Sequence, residues 1–127
     1  MLIFPYELSE HPPAPYLDIQ VAPAGEIDRS ISCRAKLDSG ASLTVIPLAL
    51  ADDLELLVTD YVDVRAYDGH ITTRPIYEVD IIIGSRVFSN VLVTSSHRMN
   101  VLLGRDVMNR LRLVLDGPRQ RLEVHGV

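Results

Sequence analysis

The sequence predicts an all-β fold, a closed or sandwiched β-barrel of about seven to nine short strands with one or two short helices. Apolar and polar residues alternate along several short segments, which is the pattern of strands with one buried face. Residues that favour turns, mainly Gly, Pro and Asp, separate these segments. Only residues 47–56 and 105–110 suit a helix.

Length, charge and cysteine content limit the possible classes of function. The chain of 127 residues suits one domain, and its net charge of -5, with scattered Lys and Arg, disfavours nucleic acid as a partner. No apolar run suits a membrane span, and the N-terminus lacks the layout of an export signal, so a cytoplasmic protein is expected. The single cysteine, Cys33, excludes an internal disulfide and is expected to be a buried structural thiol.

Residues 1–15 are predicted to form a proline-rich N-terminal arm, followed by a single domain over residues 16–127. The prolines exclude a helix from the arm and leave residues 2–4 as a short edge strand, with the arm either packed on a partner or loose. Residues 16–21 and 31–37 each alternate with period two, which predicts an antiparallel pair of strands.

The second of these strands leads into the loop Asp38-Ser39-Gly40-Ala41-Ser42, which carries one carboxylate among small residues. Gly40 permits backbone angles that are closed to other residues. The small neighbours leave room for a ligand or another backbone to approach. Such turns also occur in ordinary hairpins, so the loop is a catalytic candidate only in combination with other features.

The segment after this loop predicts a buried strand over residues 43–46 and then a helix that begins at Pro47 and ends near residue 56. Asp52, Asp53 and Glu55 on this helix point in different directions, and no histidine lies at a ligand spacing. A solvated helix face is therefore favoured over a metal site.

A hairpin is predicted over residues 62–83, with its turn at Asp68-Gly69, the dipeptide that best supports a tight turn with positive backbone angles. His70 beside the tip is expected to be solvated. Farther along, the run Val91-Leu92-Val93 predicts a strand that is covered on both faces.

A second motif covers residues 101–108, where apolar residues and a glycine precede a short helical pattern. Leu102 and Leu103 are expected to be buried, and Gly104 is expected to lie against the backbone beside the Asp38 strand. Strands over residues 111–115 and 119–124 then complete the chain.

Asp38-Ser39-Gly40-Ala41, a hairpin with Tyr67 and Gly69, and Leu102-Leu103-Gly104-Arg105-Asp106 occur in this order. The combination resembles the retropepsin-like aspartic peptidases, the single-domain family of retroviral proteases and their cellular and bacterial relatives, over roughly residues 16–124. The resemblance implies a barrel of the acid-protease type. It also implies a symmetric homodimer that hydrolyses extended peptide or protein substrates without a metal or cofactor.

The resemblance assigns roles to individual residues. Asp38 from each subunit would activate water, within an active-site loop completed by Ser39, Gly40, Ala41 and Ser42. A flap over the substrate would contain Tyr67, Asp68, Gly69 and His70. Structural support would come from Leu102, Leu103, Gly104, Arg105 and Asp106.

Two positions, Ser39 and Ser42, depart from the best-known retroviral members. Ser39 replaces a Thr, which keeps the hydroxyl but removes a methyl group that packs at the dimer centre. Ser42 replaces the Asp that usually pairs with the arginine matching Arg105, so Arg105 is expected to bond to Asp106 of either chain or to a carbonyl. Ala41 lacks the hydroxyl that stabilises the charged carboxylate in pepsin-like enzymes, which predicts a less acidic pH optimum.

Two other interpretations stay open: a dimeric peptide-binding module without proteolysis, and a monomeric β-domain with an incidental turn. A serine triad of Ser39, His97 and Asp106 is disfavoured because the sequence has no nucleophile elbow. The sequence identifies neither the substrate nor the cleavage preference.

Overall fold

The computed structural model describes residues 1–127, which form ten strands, two short α-helices and one 3₁₀ turn. The strands are β1 Leu2–Pro5, β2 Tyr16–Pro23, β3 Ile31–Leu37, β4 Val45–Pro47, β5 Asp60–Arg65, β6 Ile71–Ile83, β7 Arg86–Ser96, β8 Val101–Leu103, β9 Arg112–Asp116 and β10 Arg121–His125. The helices are α1 Leu48–Asp53 and α2 Arg105–Met108, and the 3₁₀ turn is Ile27–Arg29. The all-β prediction is confirmed. Neither α1 nor α2 has the length and apolar character that crossing a membrane requires.

Six strands form a closed barrel in the order β2-β3-β8-β4-β7-β6, and the pairing of β2 with β6 closes it. β5 pairs only with β6 and so forms a hairpin at the edge of the barrel. The predicted antiparallel pairing of residues 16–21 with 31–37 is confirmed, from Tyr16 opposite Lys36 to Val21 opposite Ile31. β3 with β8 and β4 with β7 are the parallel pairs.

One cluster of 21 buried residues fills the molecule. Because side chains alternate across a strand, β2 directs Leu17, Ile19 and Val21 inward, each at most 2% exposed. Burial of each such side chain stabilises the fold by about 1.5–3 kcal/mol. Phe88 on β7 is the largest of the fully buried side chains.

The N-terminal arm packs on the rest of its own chain. β1 pairs antiparallel with β10, which pairs with β9, in a second sheet of three strands. Farther along the arm, Glu7 Oε1 lies 3.2 Å from Arg34 Nη2, and Glu10 Oε1 lies 2.6 Å from Lys36 Nζ, so acidic arm residues meet basic residues of β3. The alternative of a loose arm is therefore wrong.

Two predicted boundaries near α1 are also wrong. The helix ends at Asp53 rather than near residue 56, because Glu55 adopts a φ of +53° and the backbone bonds that follow form a Schellman-type ending. Residues 43 and 44 are not part of β4. The Thr44 N–H donates to Asp106 Oδ2 at 3.0 Å instead of joining a strand ladder through that group.

The strand β7 is not covered on both faces at the run 91–93. Leu92 is 51% exposed, whereas Val91 and Val93 are buried. The outer face of the barrel is open to water here, so the side chains alternate as they do in an antiparallel sheet with one solvated face.

The turn between β5 and β6 is longer than the predicted two-residue turn. It covers residues 66–70, and only Gly69 has a positive φ, at +86°. The Gly69 N–H donates to the Ala66 carbonyl oxygen at 2.9 Å, and the Ala66 N–H donates to the His70 carbonyl oxygen at 2.7 Å. These bonds describe a four-residue turn followed by a bulge at Gly69.

Candidate active site

Asp38 follows the C-terminal end of β3, where β3 runs parallel to β8. Leu37 lies opposite Leu103, and the Asp38 N–H donates to the Leu103 carbonyl oxygen at 3.0 Å. The two sequence motifs, about 60 residues apart, are therefore neighbours in the barrel. The buried face of β3 therefore determines the position of Asp38, which directly follows the strand.

The Asp38 side chain folds over its own turn. Its Oδ1 accepts the Gly40 N–H at 2.9 Å, and its carbonyl oxygen accepts the Ala41 N–H at 3.1 Å. Gly40 does not use the wider range of backbone angles that glycine permits, since it is not among the residues with positive φ. A Cβ here would lie 3.1 Å from Asp38 Oδ1, so a larger residue would require a small shift of the Asp38 side chain. Ser39, Gly40 and Ser42 are exposed.

Arg105 contacts this loop through two backbone carbonyls. Its Nη1 donates to the Ser39 carbonyl oxygen at 2.6 Å, and its N–H donates to the Ala41 carbonyl oxygen at 2.9 Å. Of the two partners expected for Arg105, Asp106 or a carbonyl, the structure thus shows a carbonyl of the same chain. A charge-assisted bond of this length restrains the loop more firmly than a neutral one.

Gly104 lies where the end of β8 meets the segment that follows the Asp38 loop. A Cβ at Gly104 would lie 2.8 Å from the Leu43 carbonyl carbon and 2.9 Å from the Ala41 carbonyl oxygen. Both are backbone atoms, so they cannot rotate away. In β8, Leu103 is fully buried, whereas Leu102 is only half-buried and faces a cavity, contrary to the expectation that both are buried.

A cleft of about 340 Å³ lies between the Asp38 loop and β5. Residues 40–43 line one side and residues 62–65 line the other. The tip residues Tyr67 to His70 do not line it. Tyr67 projects fully into solvent, and the His70 N–H donates to Asp68 Oδ1 at 2.9 Å within the tip. The hairpin therefore borders the cleft through its strand β5.

Other reactive groups lie outside this cleft. Burial raises the pKa of the Cys33 thiol to about 11, so the thiolate is scarce at neutral pH. His97 lines a separate cavity together with Leu48 and Asp52, and does not line the cleft beside the Asp38 loop. No group of three or more His, Cys, Asp and Glu side chains could hold a metal ion.

Sequence reasoning missed three residues near the cleft. Thr44 is fully buried and hydrogen-bonded to Asp106, which ties the two motifs together. Arg74 and Arg98 line a cavity beside the cleft. The hydroxyl of Thr44 lies within an apolar run of the sequence, and this could have indicated a buried structural role. The two arginines occupy positions at which the sequence pattern predicts exposure to solvent.

Comparisons with known proteins agree with this geometry. The family described as "gag-polyprotein putative aspartyl protease" matches residues 24–110. A retropepsin-like aspartic protease from Rickettsia conorii has a similar structure, with a TM-score of 0.67 and 16% sequence identity over 97% of this chain and 88% of that chain. The EIAV protease complexed with the inhibitor HBY-793 has a TM-score of 0.57 and 19% identity over 84% of this chain and 93% of that chain.

The solution structure of the simian foamy virus (mac) protease is also similar, with a TM-score of 0.51 and 19% identity over 71% of this chain and 89% of that chain. At these identities the solved structures establish a common fold. No curated protein matches the chain.

Proposed function

The chain belongs to the retropepsin-like family of aspartic proteases, which are hydrolases, and on this premise we propose that it cleaves peptide bonds with a dyad of two Asp38 side chains, one from each subunit of a homodimer. The observation that carries the proposal is the placement of Asp38 on a braced, solvent-accessible turn beside a cleft. The substrate is an extended peptide or protein segment, and the reaction needs no metal or cofactor.

The homodimer follows from the number of motifs. The chain contains one Asp-Ser-Gly sequence, while a dyad needs two carboxylates within hydrogen-bond distance. A second copy placed on a two-fold axis supplies the missing group, because a two-fold interface brings the same surface of each subunit together. Ser39 and Gly40 are exposed on the same loop as Asp38 and are available for that contact.

Proton sharing within the dyad drives the proposed reaction. Two carboxylates at hydrogen-bond distance do not both ionise, so one stays protonated while the other is charged. The charged Asp38 takes a proton from water, which attacks the scissile carbonyl, while its protonated partner donates to the carbonyl oxygen. The roles then reverse as the amine leaves.

The hairpin of β5 and β6 is the proposed cover for the substrate. Residues 62–65 already form one wall of the cleft, and the exposed tip extends beyond it. A peptide bound as an extended strand between this wall and the Asp38 loop would be shielded from bulk water. We also propose a cytoplasmic location, which the single, half-buried cysteine suits.

The direct test compares the parent with Asp38→Asn on a diverse peptide library between about pH 4 and 7, a window that spans carboxyl dyads. Asn keeps the shape of Asp38 but cannot share the proton or activate water, so we expect turnover to fall by about 1,000-fold or more while peptide binding persists. Asp53→Asn, on the exposed side of α1, is the matched control and keeps full activity.

Sedimentation tests the assembly separately. At tens of micromolar, roughly the range in which a weak interface still forms, we expect a dimer. A monomer at that concentration contradicts the shared dyad. If the parent cuts no peptide while both proteins bind peptides equally, the protease proposal is rejected in favour of a peptide-binding module. Equal cutting by both proteins excludes Asp38 as the catalyst.

A further inference from the structure

A second cavity, of about 240 Å³, adjoins the cleft beside the Asp38 loop. The two spaces share Val45, Val64 and Thr94 as lining residues, so they are adjacent compartments on the same side of the barrel. The second compartment is smaller than the roughly 300–1,000 Å³ of typical small-molecule pockets. It is therefore suited to one side chain of a longer ligand.

The walls of this compartment combine apolar side chains with two arginines. Val45, Val64 and Leu102 are the apolar part, and Arg74 and Arg98 are the charged part. No Asp or Glu is among the residues that line it. The compartment thus presents positive charge without a carboxylate of its own.

Arg74 is held in place by the sheet. It lies on β6 opposite Val62 of β5, and its Nη1 donates to the Ser95 carbonyl oxygen at 3.0 Å. Its Nε is buried and has no hydrogen-bond partner, and no carboxylate forms an ion pair with its guanidinium. The positive charge of Arg74 is therefore not neutralised within the chain, which favours a negatively charged ligand group beside it in the compartment.

Arg98 lies on the loop after β7 and its side chain is exposed. Only its backbone N–H is hydrogen-bonded, to Ser96 Oγ at 3.3 Å. The charge of Arg98 also acts on Glu10, but that carboxylate is already paired with Lys36 at 2.6 Å. Arg98 also lines the separate cavity that contains His97 and Asp52, but no carboxylate forms an ion pair with its guanidinium, which is therefore available to a ligand in the compartment.

We infer that this compartment binds a glutamate side chain of the peptide substrate, with Arg74 and Arg98 as the residues that determine specificity. The inference rests on the proposed protease function and names its substrate class. Two arginines can bind one carboxylate from two directions, and Arg forms the planar hydrogen-bonded pairs that favour carboxylates. Val45, Val64 and Leu102 are placed to pack against the two methylene groups of glutamate, which favours Glu over Asp.

The test moves a single Glu along an otherwise neutral peptide that the protein cleaves, with Gln as the uncharged isostere at each position. We expect one position at which the Glu peptide exceeds the Gln peptide in kcat/KM by about 10- to 100-fold, the range for a charge-assisted hydrogen bond. This Glu/Gln ratio is independent of the active fraction, so a partly misfolded variant does not distort it.

Arg74→Gln and Arg98→Gln should each reduce the ratio at that position, and Arg74→Lys should restore part of it because it returns the charge. Arg112→Gln, an exposed change on β9, is the matched control and should leave the ratio unchanged. A parent ratio near one at every position overturns the inference while the protease function stands. The same holds if Arg74→Gln slows both peptides equally, since Arg74 would then only support β7 through Ser95.

Binding of the same peptides to Asp38→Asn, measured by fluorescence anisotropy, separates the two proposals. If the parent cleaves nothing, the protease proposal fails. The inference about the compartment is then retained only if the Glu peptide binds about 10-fold or more tightly than the Gln peptide. Equal binding of both peptides overturns it.

Discussion

Thr44 and Asp106, 62 positions apart in the chain, are joined by two hydrogen bonds. The Thr44 hydroxyl donates to Asp106 Oδ1 at 2.9 Å, and the Thr44 N–H donates to Asp106 Oδ2 at 3.0 Å. The same hydroxyl accepts the Gly104 N–H at 3.1 Å. One buried side chain therefore fastens the segment after the Asp38 loop to the start of α2.

Thr44→Val tests the strength of this connection. Valine has nearly the same shape but leaves the Gly104 N–H without an acceptor and removes one hydrogen bond from Asp106. Because each unsatisfied buried polar group costs about 1–3 kcal/mol, we expect the free energy of unfolding to fall by about 2–3 kcal/mol, measured by urea denaturation.

Thr73→Val is the control for this prediction. The Thr73 hydroxyl donates to Asp63 Oδ1 at 2.8 Å, but this bond is exposed, so its loss should cost less than about 0.5 kcal/mol. If both substitutions lower the free energy of unfolding equally, the buried Thr44 hydrogen bonds contribute no more to stability than an exposed one.

Gly104→Ala should destabilise the fold by more than about 2 kcal/mol through overpacking. The reason is steric alone, since Gly104 has φ −85° and ψ −179°, angles that any residue can adopt. The new Cβ would meet the Leu43 backbone at 2.8 Å, whereas a Cβ at Gly117 would meet nothing within 4 Å. Gly117→Ala is therefore the control, and thermal midpoints that shift equally would contradict the packing at Gly104.

The strand faces and the order of the main elements could be predicted from sequence, because alternation along β2 and β3 is imposed by a buried core. The helix boundary could not. Glu55 adopts a left-handed conformation at a position where Gly or Asn is usual, so the sequence does not predict that α1 ends here.

The site was predictable in part for the same physical reason. Segments of backbone approach each other closely near Asp38 and Gly104. Close approach requires small residues, and these can be recognised in the sequence. The partner of Arg105 could not be predicted from the sequence, because it is a backbone carbonyl, which every residue has. Arg74 and Arg98 come from two different elements, and only the fold brings them to one cavity.

Attachment of the N-terminal arm should weaken in acid. A hydrogen bond from Lys36 is the main cause that lowers the pKa of Glu10, and bonds from Ser9 and then Arg34 lower the pKa of Glu7. A carboxyl with a lowered pKa in the folded state contributes stability that is fully present above its unfolded value of 4.5. This contribution is lost as the pH falls through the folded-state pKa.

The measurement compares the thermal midpoints of the parent and Glu10→Gln. We expect a difference at about pH 6 that shrinks as the pH falls below 4.5 and disappears once Glu10 is protonated in the folded state, where both proteins carry a neutral side chain at this position. Glu26→Gln, which removes an exposed partner of Arg29, should show little difference at either pH. A Glu10→Gln effect that persists unchanged in acid contradicts the role of the charged pair.

Arg105→Gln should slow catalysis without unfolding the protein, if the proposed function is correct. The Arg105 side chain is exposed, so its loss should change stability by less than about 1 kcal/mol. Its Nη1 bond to the Ser39 carbonyl nevertheless sets the position of the turn that carries Asp38. Because a displacement of about 1 Å in a reacting group can cost roughly 100-fold in rate, we expect kcat to fall by about 10- to 100-fold.

The pattern of effects identifies this role. KM should change little, since Arg105 does not line the cleft, and Arg105→Lys should recover part of kcat by donating one hydrogen bond to the Ser39 carbonyl. Arg112→Gln removes the same charge from an exposed strand position and should leave kcat unchanged. If Arg105→Gln keeps the parent kcat, the bond to Ser39 does not position Asp38.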